Sequence, residues 1–201
     1  YIRHFLNLYQ SSLENASTYK EDIHYSFVEY SGNNITHWSF LDDEKHDGEE
    51  TVKSINESKV CGTLFLVADK DSEKKEVRHS KLAQALGDRY YCLDCREIEN
   101  LLTPLTLKNV IAKYEKTEVS DLDFNKRFSN KTYKNQPLGK FIEEIISNKK
   151  RQGSYSSASG TVSDKVGFCK KAIAEMKNFE DLSDEAKKLT EELYKFIATN
   201  N

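Results

Sequence analysis

Residues 62–71, Gly-Thr-Leu-Phe-Leu-Val-Ala-Asp-Lys-Asp, decide the fold. Gly62 to Ala68 is a continuous apolar run, the pattern of a central strand covered on both faces. Asp69-Lys70-Asp71-Ser72 ends it. Residues 76–86 (EVRHSKLAQAL) space their apolar side chains as an amphipathic helix, with Gly87 at a C-cap position. Tyr90 to Leu93 reads as the next strand. Strand, helix, strand at this spacing predicts a parallel pair with a right-handed crossover. The fold class expected is α/β, a mainly parallel sheet flanked by helices.

Upstream, residues 3–14 place Phe5, Leu6, Tyr9 and Leu13 on one helical stripe. His24 to Tyr30 reads as a strand, broken by the turn residues Ser31-Gly32-Asn33-Asn34. Residues 35–41 are apolar and fit helix or strand, 42–50 form a charged loop, and 51–57 a short helix. Downstream the chain turns helical. Residues 97–102 and 105–114 are separated by Pro104, which suits the first position of the second helix. Residues 117–135 read as a polar loop and 138–147 as a helix. Residues 151–163 (RQGSYSSASGTVS) form a Ser/Gly-rich flexible loop, and helices follow over 164–177 and 184–198. Ser183 caps the last helix, with Asp184 and Glu185 in its first turn. No internal repeat is present.

The 201 residues are enough for one domain with a real core, and 37% hydrophobic against 31% charged residues describes a polar globular chain. A formal charge of −3 argues against a protein that only coats DNA phosphates. It leaves room for carboxylates built around cations. Cys92-x-x-Cys95 has no second such pair, so buried strand cysteines are the better reading than zinc or redox chemistry. No stretch has membrane length, and no signal peptide is evident, so a cytoplasmic, reducing compartment is expected. The sequence opens on Tyr1 directly into a helical pattern, as expected of a piece of a longer protein.

Three groups of acids fall at strand ends. Asp69 and Asp71 sit at i and i+2, on one side of an extended backbone. The carboxyl edge of a parallel sheet is where α/β proteins place their sites. Adjacent carboxylates repel unless a cation sits between them, and Mg²⁺ favours such oxygen ligands. A solvated turn is an equal reading of the pair alone. Glu29 ends the earlier strand just before Gly32. Glu97 and Glu99 lie in Arg96-Glu97-Ile98-Glu99-Asn100, directly after Leu93. Acids at a helix start are also favoured by the helix dipole, which explains one of them better than the recurrence. Trp38 with His37 reads as core, and Lys149-Lys150-Arg151 as a solvated loop at least as readily as a phosphate contact.

The ordered set resembles the Toprim nuclease domain of OLD-family (overcoming lysogenization defect) ATP-dependent endonucleases. These are ATPase–nuclease fusions, many in anti-phage defence and some associated with retrons. The family pattern has a Glu ending the first strand before a Gly turn, a D-x-D ending a later strand, a Glu in an IEN-like segment and a Lys opening a late helix. Here these match Glu29 with Gly32, Asp69 and Asp71, Ile98-Glu99-Asn100, and Lys165 of DKVGFCKKAIAEM. The resemblance spans residues 24 to 198, weakly between 117 and 150. Asn33 stands where many relatives carry a second acid, which bears on a second metal ion.

The resemblance implies a Toprim-like (Rossmann-like) core over 21–116, a mostly helical C-terminal part over 117–201 with the flexible loop at 151–163, and a helical connector over 1–20 from an upstream ATPase domain. It implies hydrolysis of DNA phosphodiesters with one or two Mg²⁺ or Mn²⁺ ions on Glu29, Asp69, Asp71, Glu99 and, as substitute or helper, Glu97. Lys165 would add positive charge at the scissile phosphate. No G-x-x-x-x-G-K-[ST] occurs, so ATP would act only through the separate domain, with a homo-oligomer expected of the full-length form. The alternatives are another Toprim activity of primase or topoisomerase type, a haloacid-dehalogenase-type phosphatase, and a catalytically inactive interaction module.

Overall fold

In chain order the elements are α1 (Ile2–Ser12), β1 (Trp38–Ser39), β2 (Ile55–Asn56), β3 (Leu66–Ala68), α2 (Glu76–Leu86), β4 (Tyr90–Cys92), α3 (Pro104–Glu115), α4 (Asn130–Tyr133), α5 (Leu138–Ile145), α6 (Lys165–Glu175) and α7 (Asp184–Thr199). Short 3-10 turns lie at Gly87–Arg89, Ile98–Leu101, Val119–Asp121 and Phe179–Asp181. The computed structural model describes residues 1–14, 17–28, 38–39, 55–56, 63–70, 76–125 and 128–201.

The chain is α/β. β3 and β4 pair in parallel, with Leu66 opposite Tyr90, Val67 opposite Tyr91 and Ala68 opposite Cys92. The connection carries α2 over the residues its apolar spacing predicts. Gly87 follows at φ +54, a left-handed conformation in which glycine is unstrained. β1 and β2 form a second two-stranded parallel pair.

Three expectations need correction. Residues 24–28, the described part of the strand expected over 24–30, are not a strand; only an isolated bridge joins Glu21 and Tyr25. Local polar contacts take the backbone instead. Lys20 N donates to His24 Nδ1 at 2.9 Å, Ser26 Oγ to Asp22 Oδ1 at 3.2 Å, and Asp22 turns the chain at φ +65. Ile55–Asn56, expected in a helix, pairs as β2. Within residues 97–102, expected as a helix, only Ile98–Leu101 turn, as a 3-10 helix, and the chain is extended at Leu102 and at Thr103 ahead of Pro104. Thr103 then caps α3 by accepting from Thr106 N at 3.3 Å.

Two compact units are distinguished. One comprises Tyr1–Ala16, Asp69–Asp71 and Leu93–Glu192; the other comprises Ser17–Ala68, Ser72–Cys92 and Leu193–Asn201. In the second, Leu66, Leu82 and Leu86 form a core with Tyr90 against it. In the first, Phe5, Leu107, Ile111, Leu138, Ile142 and Phe168 are almost fully buried. Each contributes about 1.5–3 kcal/mol on burial. α3 packs on α6 within this unit.

Residues 151–163, expected as a flexible loop, are laced by hydrogen bonds. Ser156 and Val162 bridge antiparallel, Ser157 N donates to Thr161 O at 2.8 Å, and Lys140 N donates to Gly160 O at 2.9 Å. The loop lies hard against α5 at Gly139, where a Cβ would meet Thr161 O at 2.4 Å and Tyr155 O at 2.7 Å. No helix among the described residues is long and apolar enough to cross a membrane.

Candidate functional site

Glu97, Glu99 and Lys165 come together within the larger unit, and Asp69 of the same unit acts on Glu99 and Lys165 through its charge. Asp69 is exposed and follows β3 directly. Lys70 N then donates to Cys95 O at 3.3 Å, which ties this turn to the segment leading into the acids. The Lys70 side chain meets Asp94, which Lys134 also pairs at 2.8 Å.

Glu97 precedes the 3-10 turn and Glu99 lies within it, and both are buried, each about 3% exposed, a rare state for carboxylates. Their partners differ. Glu97 Oε1 accepts Leu138 N at 3.1 Å, one of the orphan N–H groups at the start of α5. Glu97 Oε2 accepts Lys165 Nζ at 3.1 Å. Both oxygens are therefore satisfied. Glu99 Oε2 lies 3.8 Å from the same ammonium, an electrostatic contact too long for a hydrogen bond, and it has no hydrogen-bond partner.

Burial pushes the Glu99 carboxyl above its ordinary range. Lys165 opposes this, while the charges of Glu97 and Asp69 add to it. For Lys165, burial alone would lower the ammonium, but attraction from Glu99, then Glu97 and Asp69, holds it above its ordinary value. Asp69 is thus within electrostatic reach of both groups. Lys165 is the first residue of α6, where Asp164 caps the helix by accepting Gly167 N at 2.9 Å.

Two groups here escaped sequence reasoning. Asn100 was read as part of a metal-site motif. Its amide holds the turn together, accepting from Glu97 N at 3.1 Å and donating to Tyr133 O at 2.7 Å and Gln136 O at 3.1 Å. The Tyr1 hydroxyl is buried without a hydrogen-bond partner, and burial and then Glu99 push it up. No local pattern marks Tyr1, since its relation to Glu99 is purely tertiary.

Glu29, Asn33 and Asp71 lie outside the described residues. Among the described residues, no three His, Cys, Asp or Glu side chains are gathered closely enough to hold an ion. Cys95 is buried and donates to Glu97 O at 3.2 Å; burial, then Asp69, pushes its thiol up to about 12. That is the state of a structural cysteine, not of a thiolate ligand. Comparison with protein-family models, with curated proteins and with solved structures returns no match.

Proposed function

We propose that the chain is the nuclease part of an ATPase-coupled DNA endonuclease, of the Toprim type found in OLD-family proteins, acting in anti-phage defence. The observation that carries the reading is Glu99 Oε2. It is a buried carboxylate oxygen without a hydrogen-bond partner, 3.8 Å from the Lys165 ammonium and repelled by the charges of Glu97 and Asp69. A cation from outside is one way to complete such a group, and the neighbouring acids favour it over a neutral partner.

The donors fit a hard divalent ion such as Mg²⁺ or Mn²⁺, since they are carboxylates and not thiols or imidazoles. Glu99 and Asp69 would hold it, with Glu29 and Asp71 as the further ligands implied by the resemblance. When bound, such an ion supplies the positive charge that orients a scissile phosphate and activates water. Glu97 keeps both oxygens on Leu138 N and Lys165, so its part is to aim Lys165 rather than to bind. Lys165 contributes a permanently charged donor beside the acids, placed to meet a phosphate oxygen.

The topoisomerase alternative needs an activated tyrosine. For five of the eleven tyrosines, Tyr1, Tyr114, Tyr133, Tyr155 and Tyr194, burial is the first cause pushing the hydroxyl up, the wrong direction for a nucleophile at those positions. The test is plasmid cleavage in Mg²⁺ or Mn²⁺ by the chain together with the ATPase domain that the resemblance implies. Asp69→Ala and Glu99→Gln should each abolish cleavage without lowering the melting temperature, because each removes one of several repelling acids. Full cleavage by a folded Asp69→Ala protein refutes the assignment.

A further inference from the structure

Arg151 and Lys171 both lie on the ring of Tyr114, with the guanidinium carbon 4.7 Å and the ammonium 4.4 Å from its centroid. Arg151 is also 4.8 Å from the ring centre of Tyr155. Tyr114 itself donates to Asp164 Oδ2 at 2.9 Å, and Asp164 is the residue before Lys165. A cationic and aromatic surface is therefore continuous with the acid–lysine site.

The sequence run Lys149-Lys150-Arg151 divides here by function. Lys149 is bound by Glu143 through contacts of 3.0 and 2.8 Å. Lys150 and Arg151 instead present their backbone N–H groups to the buried Glu115, at 2.6 and 2.7 Å, so their position is fixed while their side-chain charges are left uncompensated by it. Among the described residues, none makes an ion pair with the side chains of Lys150, Arg151 or Lys171; Lys171 and Arg151 act on Asp164, which is lowered first by Gly167 N and Tyr114 and further by them, while Lys150 Nζ meets Thr117 Oγ1 at 3.4 Å. The two rings hold the Arg151 guanidinium charge at this surface, and a guanidinium is the side chain whose N–H geometry suits a phosphate.

We propose that Arg151 and Lys171, mounted on Tyr114, together with the neighbouring Lys150, form the DNA-backbone contact that leads the phosphodiester to Lys165. This rests on the nuclease reading, whose site it serves. The groups that make this surface are cations, so the contact is to phosphate and independent of sequence.

The test is fluorescence anisotropy of a short fluorescein-labelled DNA duplex with the full chain in EDTA, where no cleavage occurs. Arg151→Gln/Lys171→Gln should weaken binding at least tenfold and reduce the salt slope by about 1.8, at roughly 0.9 per lost phosphate contact. Arg151→Lys, which keeps the charge and the fold but loses the planar fork, should fall between. Lys113→Gln, which removes one charge from a lysine paired with Glu175, should bind as wild type. Wild-type affinity and salt slope in the double variant overturn the proposal. So does binding, through these residues, to phosphatidylserine vesicles in place of DNA. Asp69→Ala cleavage reports separately on the nuclease reading, since metal-free binding does not depend on it.

Discussion

Lys165 reaches back 68 positions to donate to Glu97 Oε2 at 3.1 Å. The pair joins the first residue of α6 to the start of the 3-10 turn, so one contact fixes the ammonium and the acid-bearing segment together.

Lys165→Met removes the partner of a carboxylate that is only 4% exposed. Stranding a buried charge is strongly destabilising, but Lys165 is half exposed and solvent screens the pair, so a loss of about 1–2 kcal/mol is expected. Glu97→Gln should rescue most of it, since an amide oxygen still accepts Leu138 N. A double-mutant cycle in urea measures this, and additive effects would show that the two residues are uncoupled.

Asn100→Ala strands Glu97 N and Gln136 O and removes one of the two donors to Tyr133 O, which keeps Gln136 N. The expected loss is about 2–4 kcal/mol by denaturant unfolding. Asn100 is thus a structural member of the IEN segment, and a loss below about 0.5 kcal/mol, the lower limit for even one hydrogen bond, contradicts that role.

Gly139→Ala drives a methyl group into the Thr161 and Tyr155 carbonyls. Backbone on both sides has no rotamer to yield, so about 1–3 kcal/mol is expected to be lost. The 151–163 loop should separate from α5, and trypsin should cut at Lys150 and Arg151 faster than in wild type.

Glu143 predicts an acid-side dependence. Burial alone would raise its carboxyl, but Lys149, the Tyr155 backbone N–H and Ser154 outweigh it, and the group sits below its ordinary 4.5. A lowered carboxyl stabilises the fold above the unfolded value. That contribution disappears as pH falls from about 4.5 through the folded value. Glu143→Gln should flatten the melting-temperature profile in that window and leave the difference from wild type constant above it.

Helix periods and caps were legible in the sequence because they are local. α2 begins and ends where the apolar spacing of residues 76–86 puts it, Pro104 opens α3, and Ser183 caps α7 through Ala186 N at 3.3 Å. Lys165 was found through a family pattern and then met Glu97 and Glu99 in space. The partners that separate Glu97 from Glu99 were not legible. Leu138 N and the Tyr133 and Gln136 carbonyls are backbone groups, which leave no mark on residue identity. His24 to Tyr30 misled for the converse reason. Its alternation suits a strand, yet Asp22, His24 and Ser26 spend the neighbouring polar groups on a turn.

The separation between Glu97 and Lys165 also orders events during synthesis. A ribosome must add 68 further residues after Glu97 before the ammonium exists. Loop closure over that span must then be met before the contact forms, so this corner of the fold assembles late. Any chain that stops short of α6 leaves both buried acids without their cation. A prematurely ended translation product therefore carries an unbalanced site, and cleavage competence on the proposed reading belongs only to chains that extend past Lys165.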